Sequence, residues 1–514
     1  MSKTIIIIGA GLAGLSAALQ AAENGCNVKL VSSLPSERAQ SVMAEGGINA
    51  ALNTKDENDS PEEHFTDTIK AACGLADPNA VWGMTQAAPE LVHWLLKLGV
   101  KFNMSGYDDV DLRNFGGQKK KRTAFAQSDT GKQIMTAMID AVRRKEASGM
   151  VERFSHHSFL TLRLCGNICC GCVIRDEYSQ ETVELPGDAV IVATGGMHGL
   201  FGNTTGSLSN TGEVTAELFR LGVPLANGEM IQYHPTTVKC GGKRMLISEA
   251  ARGEGGRLFA MKDGKQWYFM EEKYPELGNL MPRDITAREI WKVSHESEVF
   301  LDMTEISDEI ISNKLSGLAD DCMTYLHKDI RKEPVSVLPG IHYFMGGILV
   351  DEQHRTPIQN LYAAGECCAQ YHGANRLGGN SLLGALYGGR VAAKSACEQA
   401  DVVDLSCATQ IDFPPTSQIS EIKQLNKVMQ ETMGVVRNEN TLLNGIQTVQ
   451  ALTGNLPLLG MAVLKSALAR KESRGAHWRE DYPKSNDDDY LKTTVARFDG
   501  KQIQISFVPV PERR

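Results

Sequence analysis

The chain has 514 residues, of which 42% are hydrophobic and 22% charged, and its formal net charge is −9. This composition is typical of a folded globular protein, and at roughly 150 residues per domain the length suggests about three domains. The acidic balance argues against nucleic acid as a partner, because a polyanion requires a basic surface. Twelve cysteines are too few for a disulfide scaffold, so we expect a reducing, cytoplasmic environment.

The first 34 residues predict a strand, a glycine-rich turn, a helix and a second strand. The turn has the spacing G-x-G-x-x-G from Gly9 to Gly14. Such a turn lets backbone amides and a helix N-terminus approach a pyrophosphate. The second strand ends near Ser32 instead of the usual acid, and a serine hydroxyl can still bond a ribose hydroxyl. This segment therefore predicts a dinucleotide site.

The same segment bears on membrane insertion. Residues 5–22 are almost wholly apolar over about the length of a spanning helix, but Gly9, Gly11 and Gly14 interrupt them. No other run in the sequence approaches that length, and the N-terminus lacks the pattern of a secretory signal. We therefore expect no membrane span in this chain, with any membrane contact made through a partner.

Two later apolar runs predict further strands that end at the ligand. Residues 188–196 end in small residues from Ala193 to Gly196, and residues 356–366 end in Gly365-Glu366. Buried parallel strands end in this way at nucleotide sites, and a carboxylate there can bind a ribityl or ribose hydroxyl. Three such strand ends, spread over the first 366 residues, indicate a flavin rather than a nicotinamide site.

The remaining segments differ in pattern. Residues 229–340 carry clustered Arg, Glu and His without this strand pattern, as an inserted lid domain would. From about residue 415 the apolar spacing becomes helical, and a charged run at 471–489 predicts an exposed end. The nucleotide-binding domain is thus expected to be discontinuous.

Ordered motifs run along nearly the whole chain. Beyond the N-terminal turn they are A-E-G-G at 44–47, Q-Y-H-P-T at 232–236, E-A-A-R-G-E-G-G at 249–256, P-R-D at 282–284, H-Y-F-M-G-G at 342–347, H-G-A-N-R-L at 372–377, N-S-L at 380–382 and E-S-R-G-A-H at 472–477. In these motifs the chain resembles the flavoprotein subunits of fumarate reductases and succinate dehydrogenases, with L-aspartate oxidase as a close relative.

The resemblance implies an α/β fold with a Rossmann-like FAD-binding domain, an inserted α+β capping domain and a helical C-terminal domain. The expected bounds are 1–228 and 341–414 for the FAD-binding domain, 229–340 for the capping domain and 415–514 for the C-terminal domain. The resemblance also implies FAD as the cofactor. The expected FAD contacts are Gly9, Gly11, Leu12, Ala13, Gly14, Ser32, Ser41, Glu45, Gly46, Gly47, Ala193, Thr194, Gly195, Glu213, Glu366, Asn380, Ser381 and Leu382.

The resemblance further implies that the enzyme interconverts fumarate and succinate, with a hydride from flavin N5 and a proton from an arginine. Guanidinium and imidazole groups suit a dianion because they make directional contacts to carboxylates. The residues expected to hold the carboxylates are His234, His342, Arg376 and Ser248. The residues expected to move the proton are Arg283 as donor, with Glu249, Arg252 and Asp284 as its relay. No metal ligands are expected.

Two departures from the family pattern bear on function. Gln40 stands where membrane-bound members carry the histidine that links flavin covalently, so we expect non-covalent FAD and a bias toward fumarate reduction. Phe115 stands where aspartate oxidase carries a carboxylate for the substrate ammonium, which favours an unsubstituted four-carbon diacid. L-aspartate oxidase stays open as an alternative, as does a flavin-bearing electron-carrier subunit without its own substrate.

The resemblance also allows an iron–sulfur electron-transfer subunit as a partner, which would place the chain at the inner face of a membrane. Two sequence runs are interpreted as structural. The cysteine-rich run at 165–172 is predicted to supply packing thiols within a β-hairpin rather than a metal site. The basic run at 119–122 is predicted to be a solvated loop.

Overall fold

The computed structural model describes residues 2–106, 109–400, 411, 413, 415 and 418–514. The expected boundary at residue 414 between the FAD-binding and C-terminal domains therefore lies outside the described residues. Within the described part of the chain, no helix combines the length and the apolar character needed to cross a bilayer.

The N-terminal part of the chain alternates strands and helices, as the sequence predicts. Gly9 and Gly11 lie between its first strand and its first helix. Its elements are β1 Thr4–Ile8, α1 Leu12–Glu23, β2 Asn27–Ser32, β3 Ile48–Asn49, α2 Pro61–Ala71, α3 Pro78–Lys97, β4 Leu112–Arg113, β5 Thr123–Ala124, α4 Thr130–Ala147, β6 Val151–Ser155, β7 His157–Cys165, β8 Ile168–Asp176, β9 Thr182–Pro186, β10 Ala189–Val192, α5 Glu213–Arg220 and β11 Leu225–Ala226.

The middle of the chain mixes short helices with antiparallel strands. Its elements are β12 Ile231–Cys240, β13 Lys243–Leu246, α6 Glu249–Gly253, β14 Arg257–Lys262, β15 Lys265–Trp267, α7 Phe269–Lys273, α8 Arg283–Val293, β16 Val299–Asp302, α9 Asp308–Lys314, α10 Ser316–Asp321, β17 Val335–Ser336 and β18 Leu338–Phe344.

The last third of the chain returns to the nucleotide-binding part and then becomes mainly helical. Its elements are β19 Gly347–Leu349, β20 Leu361–Ala363, β21 Cys368–Ala369, α11 Asn380–Gln399, α12 Ile419–Thr432, α13 Glu439–Val449, α14 Asn455–Ala469, α15 Asp487–Tyr490, β22 Lys492–Phe498 and β23 Ile503–Pro509.

A five-stranded parallel sheet forms the centre of the nucleotide-binding part, in the order β20-β10-β1-β2-β6. The three strands predicted to end at a ligand, β1, β10 and β20, are direct neighbours in this sheet. Their carboxyl ends therefore meet at one edge, although 350 residues of sequence separate β1 from β20. Residues 5–8 of β1 are all Ile and β10 is Ala-Val-Ile-Val, because both faces of the sheet are buried at its centre.

The middle part forms a separate layer that we call the cap. It has two antiparallel sheets, β13-β12-β18 and β15-β14-β16-β17, packed with its own core around Phe269, Ile290 and Leu301. Strands β12 and β18 pair with each other, from Ile231 beside Phe344 to Thr237 beside Leu338. The chain consequently enters and leaves the cap through adjacent strands, and β18 continues past residue 340.

The C-terminal part contains three packed helices, α12 to α14, as the apolar spacing predicts. It ends, however, in a hairpin of β22 and β23, whose first strand pairs with β11 in a mixed sheet. The helical prediction thus missed two strands. The β-branched residues 493–495 of β22 and a turn at Asp499-Gly500, where Gly500 has φ +89°, are the local cause of this hairpin.

The prediction of an exposed charged end at 471–489 is wrong for its first half. Glu472 is fully buried, where Arg470 and Arg474 donate hydrogen bonds to its carboxylate at 2.8 Å each. Arg470 also pairs with the buried Glu229 through a contact of 2.7 Å. Buried charges require such partners, and here the neighbouring arginines and the distant Glu229 supply them.

The two runs interpreted as structural have different outcomes. Cysteines of the run at 165–172 lie on β7 and β8, in a three-stranded antiparallel sheet, with Cys169 and Cys172 fully buried. In the basic run at 119–122, Arg122 is not solvated as predicted: it is fully buried between Asp59 and Asp67, at 2.9 Å from each. Within the described residues, no group of three metal-binding side chains is found.

Candidate active site

A cavity of about 720 Å³ lies between the carboxyl edge of the parallel sheet and the cap. A volume of this size is typical of a cofactor or substrate site. Two of the expected FAD contacts, Gly14 and Asn380, lie behind the wall rather than in it. The expected contacts that line the cavity are Gly9, Gly11, Leu12, Ala13, Ser32, Ser41, Glu45, Gly46, Gly47, Ala193, Thr194, Gly195, Glu213, Glu366, Ser381 and Leu382.

The glycine turn brings the backbone close to the cavity because no side chain fits there. Gly9 has φ +111°, and a Cβ atom at this position would lie 2.2 Å from Ala193 O. A Cβ atom on Gly14 would lie 1.9 Å from Gly9 O, so Gly14 lets α1 pack on the turn from behind. The turn and the N-terminus of α1 thus present backbone to a ligand, as a pyrophosphate requires.

Polar side chains at the strand ends fit the ribityl and ribose parts of FAD. Ser32 Oγ, at the end of β2, is buried and has no hydrogen-bond partner among the described residues. Glu366 lies after β20, and its Oε1 accepts a hydrogen bond of 3.0 Å from the Phe344 amide. Burial raises the pKa of Glu366 to about 7. These groups and the glycine turn match a dinucleotide in chemistry and position.

Glu45 contributes an unpaired carboxyl to the same wall. Its Oε2 is buried without a hydrogen-bond partner within the part of the chain that the structure describes. Burial, reinforced by the nearby Asp321 of the cap, raises the pKa of Glu45 to about 8 despite the counteracting charge of Arg113. At neutral pH this side chain is therefore mostly protonated and uncharged.

Two histidines face the other end of the cavity from the cap strands. His234 lies on β12 and His342 on β18, and their ring centroids are 5.1 Å apart. Burial and the neighbouring Arg283 hold the pKa of both imidazoles well below the ordinary value. Both rings are neutral at neutral pH, so each donates a hydrogen bond to a carboxylate only through its protonated nitrogen.

Two arginines and one serine complete this end of the cavity. Arg283 is the first residue of α8, Ser248 caps α6, and Arg376 lies in the loop before α11. The Arg376 guanidinium stacks over Tyr343 at 4.4 Å from the ring centroid. Burial, and then the charge of Arg283, lowers the pKa of Arg376 to about 9. The structure thus brings all four expected carboxylate ligands to one cavity.

Arg283 is joined to a buried chain of charges. Its Nε and Nη2 donate to Glu249 Oε2 at 2.8 and 2.5 Å. Glu249 Oε1 lies 3.3 Å from Nη2 of Arg252, which is one helical turn further along α6. Burial pushes the pKa of Glu249 upward, but the two guanidinium groups outweigh it and hold the pKa below its ordinary value. Arg252 lies outside the cavity wall, so the chain of charges leads from Arg283 away from the cavity.

Asp284 does not join this chain of charges directly, although the sequence grouped it with the relay. Its Oδ1 accepts from Asn375 Nδ2 at 3.0 Å. Asn375 in turn accepts from Gln232, whose Oε1 accepts from Arg283 Nη1 at 3.1 Å. The adjacent backbone position turns Asp284 away from Glu249, and amides separate it from Arg283. Gln232, which received no role from the sequence, is a direct partner of Arg283 and lies two residues before His234.

Phe115 lies in the cavity wall and is 1% exposed. A Cβ atom on Gly46 would lie 3.0 Å from its ring, and one on Gly378 would lie equally close. Its neighbour Gly116 donates a backbone hydrogen bond to Glu249 Oε1 at 3.1 Å. The ring is therefore packed against the flavin-side turn and cannot turn away from the cavity.

Comparison with known families agrees with this geometry. The FAD binding domain family matches residues 4–382, and the family described as fumarate reductase flavoprotein C-term matches residues 452–513. The glycine turn, the cavity and the catalytic-type side chains thus belong to an FAD-dependent oxidoreductase.

Individual relatives make the assignment more specific. The chain is 38% identical to the succinate dehydrogenase flavoprotein subunit of Bacillus subtilis, over 100% of this chain and 98% of that protein. It is 32% identical to the 8-methylmenaquinol:fumarate reductase flavoprotein subunit of Wolinella succinogenes, over 100% and 92% of the two chains. The quinol fumarate reductase structure from E. coli has a TM-score of 0.90 at 27% identity, covering 99% and 97%. The chain belongs to the succinate dehydrogenase and fumarate reductase flavoprotein family.

Proposed function

We propose that this enzyme interconverts fumarate and succinate and that its chemistry is biased toward fumarate reduction. The observation that carries the proposal is the set of four cationic or donor side chains, His234, His342, Arg283 and Arg376, in one cavity wall. Bound FAD would supply or accept the hydride through flavin N5. The protein supplies the substrate clamp and the proton.

The clamp is built for two carboxylates. Neutral imidazoles on adjacent strands and the Arg376 guanidinium donate hydrogen bonds from a desolvated wall, where such contacts are strong. Arg376 Nε is buried and has no hydrogen-bond partner within the described residues, so it is available to a ligand. Ser248 adds a hydroxyl beside Glu249. Pulling charge into one carboxylate makes the alkene carbon more electrophilic.

The proton transfer is assigned to Arg283. An arginine is a weak acid, with a free pKa above about 12, so it retains its proton until a strong base such as a carbanion forms. Glu249 holds two of its nitrogens and is itself bound to Arg252. We propose that Glu249 and Arg252 return the proton to Arg283. In this proposal Asp284 orients Gln232 through Asn375 and carries no proton to Arg283.

Aspartate fits this cavity less well than fumarate. An ammonium group requires an anionic partner, and Phe115 offers only a packed ring. Glu45 is the nearby alternative, but with a pKa of about 8 it is mostly uncharged at neutral pH. A carrier without a substrate is also disfavoured, because the buried Arg376 guanidinium, whose Nε has no hydrogen-bond partner among the described residues, would be destabilising without an anionic ligand.

Gln40 supports a dissociable cofactor. It lies in the cavity wall near Ser41, where a covalent linkage would require a nucleophilic ring nitrogen, and an amide cannot provide one. We propose that FAD is held without a covalent bond. Acid precipitation of the purified enzyme should release the flavin into the supernatant; flavin retained in the pellet would contradict this proposal.

The decisive experiment compares three ligands on the oxidised and reduced enzyme under anaerobic conditions. Fumarate should reoxidise the reduced flavin, succinate should bleach the oxidised flavin slowly, and aspartate should do neither. Arg283→Lys should abolish turnover and leave the flavin spectrum intact. Arg288→Lys, on the same helix but over Trp478 at 4.0 Å, is the control and should retain activity. Bleaching by aspartate but not succinate would overturn the proposal.

We further propose an iron–sulfur electron-transfer subunit as partner, which would hold the chain peripherally at the inner face of a membrane. The support is that the relatives are named flavoprotein subunits. Affinity purification from membranes and from the soluble fraction of the native organism would test the partner; recovery of the chain alone from both would contradict it.

We also propose a division of the chain into three domains. The FAD-binding domain comprises residues 1–228 and 341–414, the capping domain residues 229–340, and the C-terminal domain residues 415–514.

A further inference from the structure

The loop between β10 and α5 brings a threonine hydroxyl to one of the two cavity histidines. Thr205 Oγ1 lies 2.8 Å from Nδ1 of His342. Thr205 also lies in the wall of the cavity that holds the candidate substrate site. Because Thr205 occupies Nδ1, Nε2 is the nitrogen of His342 that remains for a ligand.

The direction of this hydrogen bond follows from the other contacts of the hydroxyl. Its alternative acceptor, Ile341 O, is 3.4 Å away and already accepts the Thr205 amide at 3.0 Å. His342 Nδ1, which lies closer to the hydroxyl, is therefore the better acceptor for its proton. A ring nitrogen that accepts a hydrogen bond carries no proton, so a neutral imidazole then carries its proton on Nε2.

We propose that Thr205 is a positioning residue that fixes His342 in the tautomer protonated at Nε2 and thereby sets the affinity of the site for a dicarboxylate. The inference rests on the proposed function and adds a residue to it. A neutral imidazole in the other tautomer would turn a lone pair toward the substrate carboxylate and repel it.

The loop is built to hold this hydroxyl in place. The preceding residue, Thr204, contacts His198 Nδ1 at 3.0 Å and accepts the Gly206 amide at 3.2 Å. A Cβ atom on Gly206 would lie 2.2 Å from the His198 ring, so the following turn packs directly on that ring. The hydroxyls of Thr204 and Thr205 thus contact two different histidines, and these contacts hold the loop in place.

The other cavity histidine is held in a different way. His234 Nδ1 contacts Thr236 of its own strand, with the carbonyl oxygen at 3.1 Å, the amide at 3.3 Å and the hydroxyl at 3.4 Å. The Thr236 hydroxyl donates to Ile247 O at 2.8 Å. Because the Thr236 hydroxyl gives its proton to Ile247 O, it does not fix His234 as the Thr205 hydroxyl fixes His342.

The test compares Thr205→Val, which keeps the shape and removes the hydroxyl, with Thr205→Ser, which keeps the hydroxyl. The holoenzymes are titrated with malonate, a dicarboxylate that cannot be reduced, and the flavin absorbance gives Kd. We expect Thr205→Val to raise Kd for malonate and KM for fumarate by about fivefold, the effect of one lost hydrogen bond. Thr205→Ser should stay within about twofold of wild type.

The pH dependence tests whether the effect belongs to a neutral ring. Burial and the charge of Arg283 hold the pKa of His342 well below its ordinary value, so the ring keeps a single proton and its tautomer matters throughout the range from pH 8 to 6. The defect of Thr205→Val should therefore persist across this range, and its rescue by Thr205→Ser separates a tautomer effect from a structural one. FAD content and Tm show whether each variant is folded, and Thr205→Ala replaces valine if valine disturbs the loop.

Three results would overturn the inference: equal affinity of Thr205→Val and wild type, an equal loss in Thr205→Ser, or a loss that disappears at pH 6. A wild-type enzyme that binds malonate but does not reduce fumarate would instead refute the proposed function. The malonate titration still decides the role of Thr205 in that case.

Discussion

Glu249 and Arg283 are joined by two hydrogen bonds that converge on one oxygen, with Nε at 2.8 Å and Nη2 at 2.5 Å from Glu249 Oε2. The pair is buried in the cap, and Arg252 neutralises the second oxygen. A carboxylate held between two guanidinium groups keeps the arginine at the cavity oriented. In the mechanism that we propose, the same carboxylate is the route by which the proton of Arg283 is replaced.

Glu249→Gln should therefore slow turnover more than it weakens binding. We expect kcat for fumarate reduction to fall about a hundredfold or more, because the relay to Arg283 is interrupted. The Kd for malonate should change much less. Glu271→Gln, which removes a carboxylate paired with Arg257 elsewhere in the cap, is the matched control. Equal kcat values for Glu249→Gln and wild type would contradict the relay.

Gly9→Ala should prevent FAD from binding. The new Cβ atom would lie 2.2 Å from Ala193 O, at a φ of +111° that disfavours a side chain. We expect the ratio of absorbance at the flavin band to that of the protein to fall at least about tenfold, while circular dichroism still shows a folded chain. Gly25→Ala also has positive φ, +78°, but open space around it. Full FAD content in Gly9→Ala would show that the turn does not shape the site.

Glu45→Gln should flatten the dependence of stability on pH. The folded pKa of Glu45, about 8, lies above its ordinary value of 4.5, so the folded state holds a proton that the unfolded state releases. Its contribution is fully present below about pH 4.5 and is lost as the pH rises toward 8. Glutamine is uncharged at every pH and removes this loss.

The measurement is Tm of the holoenzyme between pH 5 and 8. Wild type should lose Tm over this interval more steeply than Glu45→Gln. Glu23→Gln, at the exposed end of α1, should follow wild type. Parallel curves for wild type and Glu45→Gln would mean that Glu45 is ionised in the folded protein.

Glu472→Gln should destabilise the C-terminal part. Glu472 is fully buried between Arg470 and Arg474, and its loss leaves each guanidinium group with one carboxylate partner, Glu229 for Arg470 and the exposed Asp487 for Arg474. Breaking a buried ion pair in this way costs about 3–5 kcal/mol in free energy of unfolding. Urea denaturation would measure the loss, and Asp488→Asn at the surface should be neutral. A change below about 1 kcal/mol would show that the arginines find other partners.

The sequence predicted the nucleotide-binding part well because its determinants are local. Gly9 follows β1 directly and Gly14 lies in the first turn of α1, and the close contacts at both positions explain why only glycine fits. The position of Arg283 beside Arg376 could not be read from spacing alone, since 93 residues separate them; the family motifs supplied it. Thr205 carries no motif, and only the fold shows that its hydroxyl meets His342 across 137 residues.

The predictions from sequence failed mainly for charged residues that the fold buries. Arg122, at the end of the basic run 119–122, was predicted to be solvated because its partners, Asp59 and Asp67, lie more than 50 residues away in the sequence. The arginine partners of Glu472 are only two residues away, but Arg470 is buried with Glu229, which lies 241 residues from it, and this distant packing is what buries the run. The final hairpin could have been predicted, because β-branched residues stand on both sides of Asp499-Gly500. The helical spacing of the preceding segment was instead extended over these residues.

The pairing of β12 with β18 makes the cap an excisable module. Thr237 and Leu338 are neighbours across the two strands, so a short linker could replace the hundred residues between them without pulling the strands apart. The shortened protein would retain both histidines and lose Ser248, Glu249, Arg252 and Arg283. Such a protein would be a flavin scaffold that recognises dianions without an acid, a useful starting point for grafting a different catalyst onto this architecture.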